Sequence, residues 1–212
     1  YVEKPKLLNC IASQKTLNYL NDTDLENVRD MFSKLSSNNE VEIRIGTMKN
    51  SFFDTNINQD MFEKFKEQLS ANNYTLEIID MVDIIENDIR TRHFYQKDFN
   101  RYIFLESIVK RKIKNLDINS SKFSNFDSRI SLSEEIKVKQ YSTDGPAMRK
   151  YRMSYLHPNK LFRVDATVLI KGKLEDKIFI EENATNYKRQ IEIEILSPNI
   201  DINELFTFIY SF

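Results

Sequence analysis

The feature that most constrains the fold is a strict alternation of apolar residues with full charges of both signs. Glu40–Ile45 reads Glu-Val-Glu-Ile-Arg-Ile, and Gln190–Ile195 reads Gln-Ile-Glu-Ile-Glu-Ile. Side chains along a strand point alternately to opposite faces, so a period of two indicates a strand with one apolar and one charged face. The same period recurs through most of the chain, which is therefore predicted to be mainly β.

This period predicts eight long strands and a ninth, short one. They are Glu40–Lys49, Thr75–Ile85, Asp88–Tyr95, Tyr102–Ile113, Ser128–Lys139, Ala147–Leu156, Leu161–Lys171 and Gln190–Ser197, with Lys177–Glu182 as the short strand. Turn-forming residues separate several of them, at Asn115–Asn125, Thr143–Pro146 and His157–Asn159. Eight long antiparallel strands with few helices favour a closed barrel or a strongly curled sheet.

Three other segments carry apolar residues at three- and four-residue spacing, which predicts helices that pack against the sheet. These helices begin near Asp22, Asn58 and Asp201. The chain has 212 residues, which corresponds to one domain at about 100–200 residues per domain. We expect a single α+β domain over 1–212, with a helical segment at 1–38 and the barrel at 40–197. Because the chain starts with Tyr1 rather than Met, we expect it to be a fragment of a larger protein.

Composition excludes several kinds of site. The single cysteine, Cys10, can form neither an internal disulfide nor a thiolate zinc site, and it predicts a reducing compartment. Two histidines, His93 and His157, argue against a His-rich metal site or a Ser-His-Asp triad. The three glycines are far apart, so the chain has no glycine-rich phosphate loop. The net charge of −1 predicts that any polyanion is bound at a concentrated site rather than along a basic surface.

The charged faces differ in sign from strand to strand. The strands at the two ends of the β region carry Glu-x-Glu, at Glu40 and Glu42 and at Glu192 and Glu194, whereas the middle strands are weighted towards Arg and Lys. A half-buried sheet whose charged face meets water would explain any single strand. Taken together, the strands favour a barrel whose lumen holds a carboxylate wall opposite a basic wall. The outward apolar faces would then be covered by the helices.

Such a lumen predicts phosphate chemistry assisted by a divalent metal. Residues i and i+2 lie about 6.5–7 Å apart on one face of a strand, so two Glu pairs on neighbouring strands can converge on one ion. Oxygen ligands suit Mg²⁺ or Mn²⁺, and Arg and Lys bind phosphate oxygens. These groups together fit metal-assisted hydrolysis of a phosphoanhydride, which needs no nucleophilic side chain. A cysteine phosphatase is excluded because the residue six positions after Cys10 is Thr16 and not Arg.

The strand sequences resemble, in order, those of the triphosphate tunnel metalloenzymes. Glu40–Arg44 is similar to their first-strand Glu-x-Glu-x-Arg signature, and Gln190–Ile195 is similar to their last-strand Glu-x-Glu. The segments in between resemble the tunnel strands of fungal, protozoan and DNA-virus RNA triphosphatases: Asp88–Arg90, Val109–Ile113, Arg129–Glu135, Tyr151–Tyr155 and Phe162–Thr167. The likeness extends from about Glu40 to Leu196 and is greatest for the triphosphatase domain of giant-virus, mimivirus-like mRNA capping enzymes.

The resemblance implies an eight-stranded antiparallel tunnel that removes the γ-phosphate from triphosphate-ended nascent RNA and leaves a diphosphate for guanylyl transfer. It implies Mg²⁺ or Mn²⁺ held by Glu40, Glu42 and Glu194. Glu192 resembles the residue that orients the attacking water, and Glu135 and Asp165 resemble carboxylates that hold basic side chains. The implied phosphate-binding residues are Arg90, Lys110, Arg152, Arg163, Arg44 and Lys112. A one-residue bulge reverses the facing of a strand, so the facing stays open for Arg92, Arg129, Lys137 and Lys139.

Two alternatives stay open. One is a hydrolase of the same superfamily that acts on inorganic tripolyphosphate, thiamine triphosphate or NTP, although those branches more often carry Lys at the position of Arg44. The other is a non-catalytic barrel that binds phosphorylated ligands or RNA ends. The expected partners are the 5′-triphosphate end of RNA and linked guanylyltransferase and methyltransferase domains, with no membrane and no prediction of oligomeric state. The expected location is intracellular, in the host cytoplasm or the virion if the protein is viral.

Overall fold

The computed structural model describes residues 19–120, 124–182 and 187–212. Cys10 and the first part of the predicted helical segment lie outside these residues, as do residues 121–123 of the predicted Asn115–Asn125 turn. The helices are α1 Asp22–Ser33, α2 Gln59–Ala71 and α3 Ile202–Ile209, with a 3₁₀ turn at Lys97–Phe99. The strands are β1 Asn39–Lys49, β2 Phe52–Asp54, β3 Thr75–Glu86, β4 Ile89–Gln96, β5 Arg101–Ile118, β6 Asp127–Lys137, β7 Gly145–Leu156, β8 Phe162–Glu175, β9 Ile178–Glu181 and β10 Lys188–Ile195.

The predicted elements are present, with differences at their ends. The three helices begin one residue after Asn21, Asn58 and Asp201, whose side chains each accept a hydrogen bond from a backbone N–H of the first turn. β5 continues to Ile118, into the segment predicted as a turn, and β6 ends two residues before Lys139. β2 was not predicted, because three residues are too short to show a period. In the part of the chain that the structure describes, no helix has the length and apolarity needed to cross a bilayer.

Eight of the strands close into an antiparallel barrel, as predicted. Neighbouring strands follow the order β10, β1, β6, β5, β4, β3, β7 and β8, and pairing of β8 with β10 closes the circle. The two remaining strands extend single barrel strands, because β9 pairs with β8 and β2 pairs with β1. Closure satisfies the backbone groups that open sheet edges would expose.

The main hydrophobic core lies outside the barrel. The outward side chains of β1 and β10, such as Ile43 and Ile193, are fully buried beneath the helices. Phe32 of α1, Phe65 of α2 and Phe206 of α3 belong to the same cluster. The alternation along each strand therefore has a simple physical outcome, because apolar side chains pack under the helices and charged side chains are left to fill the lumen.

The β1–β2 hairpin folds across the inner face of the barrel at one end. Gly46 continues the inward positions of β1, and a Cβ placed there would lie 2.3 Å from a carbonyl oxygen of β2 and 2.7 Å from the Phe53 ring. Phe53 is buried, and its ring centroid lies 4.9 Å from the guanidinium carbon of Arg129. Just after β2, Thr55 accepts a hydrogen bond from the side chain of Gln190 on β10. The hairpin therefore covers this end of the lumen along β1, β6 and β10.

Candidate active site

The lumen contains a cavity of about 570 Å³. Its charged lining residues come from seven of the eight barrel strands and carry both signs: Glu40, Glu42, Arg44, Arg90, Arg92, Lys110, Glu135, Lys150, Arg152, Arg163, Asp165, Glu192 and Glu194. Its uncharged lining residues lie together at one end: Leu35, Ser36, Ser37, Asn38, Asn39, Ile195, Leu196 and Pro198. The cavity is thus a charged chamber with an uncharged mouth.

The acidic wall is formed by two adjacent strands. Glu42 on β1 lies directly opposite Glu194 on β10, and Arg44 lies opposite Glu192. Like charges placed directly opposite each other on neighbouring strands are destabilising. The backbone register therefore fixes Glu42 and Glu194 on directly opposed positions, and only rotation of their side chains can separate the two carboxylates.

Cations of the chain itself occupy the space between these carboxylates. The Lys110 ammonium lies 2.9 Å from Glu40, 3.2 Å from Glu42 and 3.5 Å from Glu135. The Arg44 guanidinium joins the two strands, since it lies 2.7 Å from Glu42 and 3.1 Å from an oxygen of Glu192. The wall is therefore held together by ion pairs that bridge its like charges.

The protonation of the acidic wall reflects this crowding. Burial raises the pKa of Glu40, and the neighbouring Glu42 carboxylate raises it further. Burial also opposes ionisation of Glu42, but a hydrogen bond from Glu40 and the charges of Lys110 and Arg44 lower its pKa. The pKa of Glu194 is raised, mainly by burial, although Arg163 acts in the opposite direction. Burial and crowding therefore oppose full ionisation of the wall, while Lys110, Arg44 and Arg163 favour it.

Next to the acidic wall, β8 pairs with β10, and β7 and β8 supply guanidinium groups held by a buried carboxylate. Arg152 lies 2.8 Å from Asp165 and 3.5 Å from Glu192. Arg163 lies 3.1 Å from Asp165 and is also paired with Glu194. Asp165 is 3% exposed, and its ion pairs orient both guanidinium groups. Arg152 and Arg163 themselves line the cavity.

A second buried carboxylate, Asp83 of β3, was missed by the sequence analysis. It is 1% exposed and lies 2.7 Å from Lys150, 3.1 Å from Arg92 and 3.6 Å from Arg90. Burial raises the pKa of Asp83, but the charges of Lys150 and Arg92 lower it by more, so the pKa is lowered. Burial lowers the pKa of Lys150. The signal for Lys150 was available, because it shares a face with Arg152 two residues later, but Asp83 stands alone among apolar neighbours.

The structure brings eleven of the twelve predicted site residues to the cavity. The exception is Lys112, which is exposed and absent from the cavity lining. Lys112 pairs with Ser133 in the register in which Lys110 pairs with Glu135, and the register shifts only beyond Lys112. The structure does not bring the Lys112 side chain to the cavity, and its predicted role in phosphate binding stays a prediction. The catalytic, metal-binding and phosphate-binding roles of the other eleven residues stay predictions.

The four residues for which the sequence does not decide between lumen and outer face lie in different places in the structure. Arg92 lines the cavity. Arg129 is paired with Asp117 and covered by the β1–β2 hairpin. Lys137 is exposed, and Lys139 lies beyond the end of β6. Neither histidine lines the cavity, because His93 is buried on the outer side of β4 and His157 contacts Tyr74 and Phe162.

The three predicted metal ligands fit a hard divalent cation in their chemistry, since all are carboxylates and two of them are directly opposed. They do not converge in this structure, because Glu40 and Glu42 hold Lys110 while Glu194 holds Arg163. Within residues 19–120, 124–182 and 187–212, no three His, Cys, Asp or Glu side chains form a group with metal-site geometry. A cation at this wall therefore has to displace Lys110 and Arg163 from the carboxylates.

RNA triphosphatases are among the solved structures that share this fold. The S. pombe Pct1 RNA triphosphatase matches with a TM-score of 0.63 and 17% identity, over 84% of this chain and 79% of that chain. The same protein in complex with the Spt5 CTD matches equally, over 80% of that chain. The Mimivirus capping enzyme triphosphatase matches with a TM-score of 0.59 and 16% identity, over 91% of this chain and 96% of that chain. No curated protein sequence matches the chain.

A family model described as "mRNA capping enzyme, beta chain" matches residues 37–206. The matched range begins just before β1 and ends within α3, so it contains all eight barrel strands and every charged residue of the cavity lining. Most of the chain, including the complete barrel and its acidic and basic walls, is therefore covered by one family. The chain belongs to the family of the mRNA capping enzyme beta chain.

Proposed function

We propose that this domain hydrolyses the 5′-triphosphate end of nascent mRNA to a 5′-diphosphate and inorganic phosphate, the first step of cap formation. The observation that carries the proposal is the closed barrel cavity, in which an acidic wall faces guanidinium and ammonium groups. Membership of the mRNA capping enzyme beta chain family supports the same activity. Water attacks the γ-phosphorus, the bond to the β-phosphate oxygen breaks, and the RNA diphosphate leaves.

The basic groups of the cavity bind the triphosphate in this proposal. Arg152 and Arg163 present guanidinium forks that Asp165 has already oriented, so little conformational freedom is lost when they bind phosphate. Asp83 holds Lys150 at 2.7 Å and attracts Arg90 at a longer distance of 3.6 Å. Rigid donors of this kind stabilise the charge that develops in the transition state of phosphoryl transfer.

We assign the metal site to Glu40, Glu42 and Glu194, because these carboxylates are crowded on two adjacent strands and Glu42 lies directly opposite Glu194. A bound Mg²⁺ or Mn²⁺ would polarise the phosphate oxygens and neutralise developing negative charge. Lys110 and Arg163, which now bind these carboxylates, become available to the phosphates when a cation takes their place. The same side chains thereby stabilise the free barrel and then bind the substrate.

Glu192 is positioned to orient the attacking water. It lies one rung from Glu194 on the inner face of β10, where Arg44 and Arg152 hold one carboxylate oxygen each. This arrangement fixes the carboxylate without requiring it to bind the metal. Glu135 and Asp165 act as positioning residues, because Glu135 contacts Lys110 and Asp165 holds two guanidinium groups.

The proposal is tested by release of γ-labelled phosphate from triphosphate-ended RNA, with Mg²⁺, with Mn²⁺ and with excess EDTA. We expect metal-dependent release of one phosphate per RNA and a diphosphate-ended product. ATP and inorganic tripolyphosphate, assayed in parallel, test the alternative of a general triphosphate hydrolase. Binding of RNA ends without phosphate release under any metal condition would contradict the proposal and leave the non-catalytic barrel.

A further inference from the structure

The mouth of the cavity differs chemically from its centre. We use the name collar for Leu35–Asn39, Leu196 and Pro198, which line this end and carry no charge. Thirteen charged side chains line the remainder of the cavity. A triphosphate is charged along its whole length, and the collar offers it no cationic side chain. Its Leu and Pro side chains, with Ser and Asn beside them, match the mixed surface of a nucleoside.

The collar is held in place by hydrogen bonds of its own backbone. The Ser36 hydroxyl accepts from the N–H of Asn39 at 3.2 Å, and the Asn39 amide donates to a carbonyl oxygen of Lys34 at 3.1 Å. The carbonyl oxygen of Asn38 accepts from the N–H of Glu135 at 2.8 Å, which ties the collar to the acidic wall. The side chains of Ser37 and Asn38 are exposed, and neither forms a hydrogen bond with a described residue. These two groups are therefore available to a ligand at the mouth.

The other end of the lumen is covered on the side of the acidic wall. Gly46 is the next inward position of β1 after Arg44, and Arg129 lies directly opposite Arg44 on the inner face of β6. The β1–β2 hairpin packs on both Gly46 and Arg129. Neither residue lines the cavity, whose lining along β1 stops at Arg44. Along the acidic wall, the path for a long polymer attached to the triphosphate is therefore open at the collar and covered at the hairpin.

We infer that the collar binds the first nucleoside of the substrate and that RNA enters the barrel only from this end. The inference rests on the proposed function, since it places the nucleoside where the bound triphosphate ends. Leu196 and Pro198 offer apolar contact to the base, and Ser37 and Asn38 offer hydrogen bonds to ribose hydroxyls or base edges. The collar thereby distinguishes nucleotide-ended triphosphates from inorganic tripolyphosphate, which the charged chamber alone cannot do.

The first test compares kcat/KM for ATP with kcat/KM for tripolyphosphate. The variants are Leu196→Ser and Asn38→Ala, alone and combined, with Leu76→Ser as the matched control, since Leu76 is an exposed leucine on the outer face of the barrel. We expect the ratio of the two kcat/KM values to fall about tenfold in the combined variant, which corresponds to about 1.4 kcal/mol of lost nucleoside contact. The ratio for Leu76→Ser should equal that of the parent chain. Thermal unfolding of each variant identifies any variant that fails to fold. If Leu196→Ser fails to fold, Asn38→Ala still tests the collar, because the Asn38 side chain is exposed.

The outcomes separate the collar from the proposed function. If the parent chain releases no phosphate from triphosphate-ended RNA, ATP or tripolyphosphate with any divalent cation, the proposed function and the collar are both overturned. If it hydrolyses both substrates and the ratio is the same in all variants, only the collar is overturned. A second readout is photolabelling with 8-azido-ATP followed by peptide mapping. Label on residues 34–39 or 196–198 supports the collar, and label on residues 46–55 overturns the direction of entry.

Discussion

Glu42 and Glu194 lie directly opposite each other on adjacent antiparallel strands, and both face the lumen. Each carboxylate is held by a different cation, Glu42 by Lys110 and Arg44 and Glu194 by Arg163. The register therefore imposes a repulsion that a single divalent cation between the strands would relieve better than the monovalent side chains do. This opposition is the feature of the barrel from which metal dependence is most directly expected.

Replacement of Glu42 with Gln should abolish most of the activity without unfolding the barrel. We expect phosphate release to fall by about 100-fold or more, because one proposed metal ligand is lost. No cation is left unpaired, since Lys110 keeps Glu40 and Arg44 keeps Glu192. Urea unfolding should show a free energy of unfolding that is unchanged or higher by up to about 1 kcal/mol. Full activity of the parent chain in excess EDTA would show that the metal assignment is mistaken.

Replacement of Arg152 with Lys should lower activity even though the charge is kept. The Arg152 guanidinium spans Asp165 and Glu192 and also donates to Thr167, a fork that an ammonium cannot reproduce. We expect kcat/KM to fall by about tenfold or more, measured as phosphate release under saturating Mg²⁺. Arg101→Lys, at an exposed position at the start of β5, serves as the control and should be neutral. Unchanged turnover of Arg152→Lys would remove Arg152 from the phosphate-binding wall.

Glu192→Gln and Glu194→Gln should differ in their dependence on Mn²⁺. Glu194 is a proposed metal ligand, so its variant should require more Mn²⁺ and regain part of its rate at high concentration. Glu192 is held by Arg44 and Arg152 and is proposed to orient water, so its variant should be slow at every Mn²⁺ concentration with an unchanged midpoint. Titration of activity against Mn²⁺ measures both midpoints. Equal shifts of the two midpoints would mean that both carboxylates bind the metal.

Asp83 should make the barrel sensitive to acid. Its pKa is lowered in the folded state, because Lys150 and Arg92 outweigh the opposing effect of burial. The stabilisation is fully present above the unfolded-state pKa of about 3.9 and is lost as the pH falls through the lower folded-state value. Asp83→Asn should therefore cost about 3–5 kcal/mol at pH 7, because it leaves buried cations without their partner. The difference in free energy of unfolding between Asp83→Asn and the parent chain should become smaller at acidic pH.

Urea unfolding at several pH values between about 3 and 7 measures this gap. Asp98→Asn, at an exposed carboxylate in the 3₁₀ turn, is the matched control and should follow the parent chain. The other carboxylates titrate in both proteins, so the difference between the curves isolates Asp83. A constant gap across the whole pH range would show that Asp83 acts through packing and not through its charge.

Replacement of Gly46 with Ala should disturb the β1–β2 hairpin. The added Cβ would lie 2.3 Å from the carbonyl oxygen of Asp54, a distance that requires the backbone to move. We expect a loss of about 1–3 kcal/mol, or a decrease in Tm of about 2–4 °C for each kcal/mol. Ser51→Ala, at an exposed position in the turn of the same hairpin, should be neutral. An unchanged Tm for Gly46→Ala would show that β2 does not pack closely on β1.

The predictions from sequence were strongest where a residue's neighbours along the chain decide its environment. The alternation in β1 and β10 determined which side chains point inward, since strand geometry places i and i+2 on one face wherever the strand lies. The helical stripes likewise predicted Phe65 and Phe206 as residues that pack on the sheet. The twelve residues carried over from the family resemblance followed the same rule, and only Lys112, beside an irregularity in β5, departed from it.

The sequence by itself thus determined which side chains face into and out of the barrel, which strands carry acidic or basic residues, and which family the chain resembles. Only the tertiary structure decided which charges meet, because barrel closure joins residues as far apart as Arg44 and Glu192. Asp83 shows the difference most clearly. It is one of four acidic residues in β3 and has apolar residues on both sides, and its role became visible only when β4 and β7 placed Arg92 and Lys150 against it. Charge pairing in the lumen depends on the register between strands that can be far apart in the sequence, and no local period encodes that register.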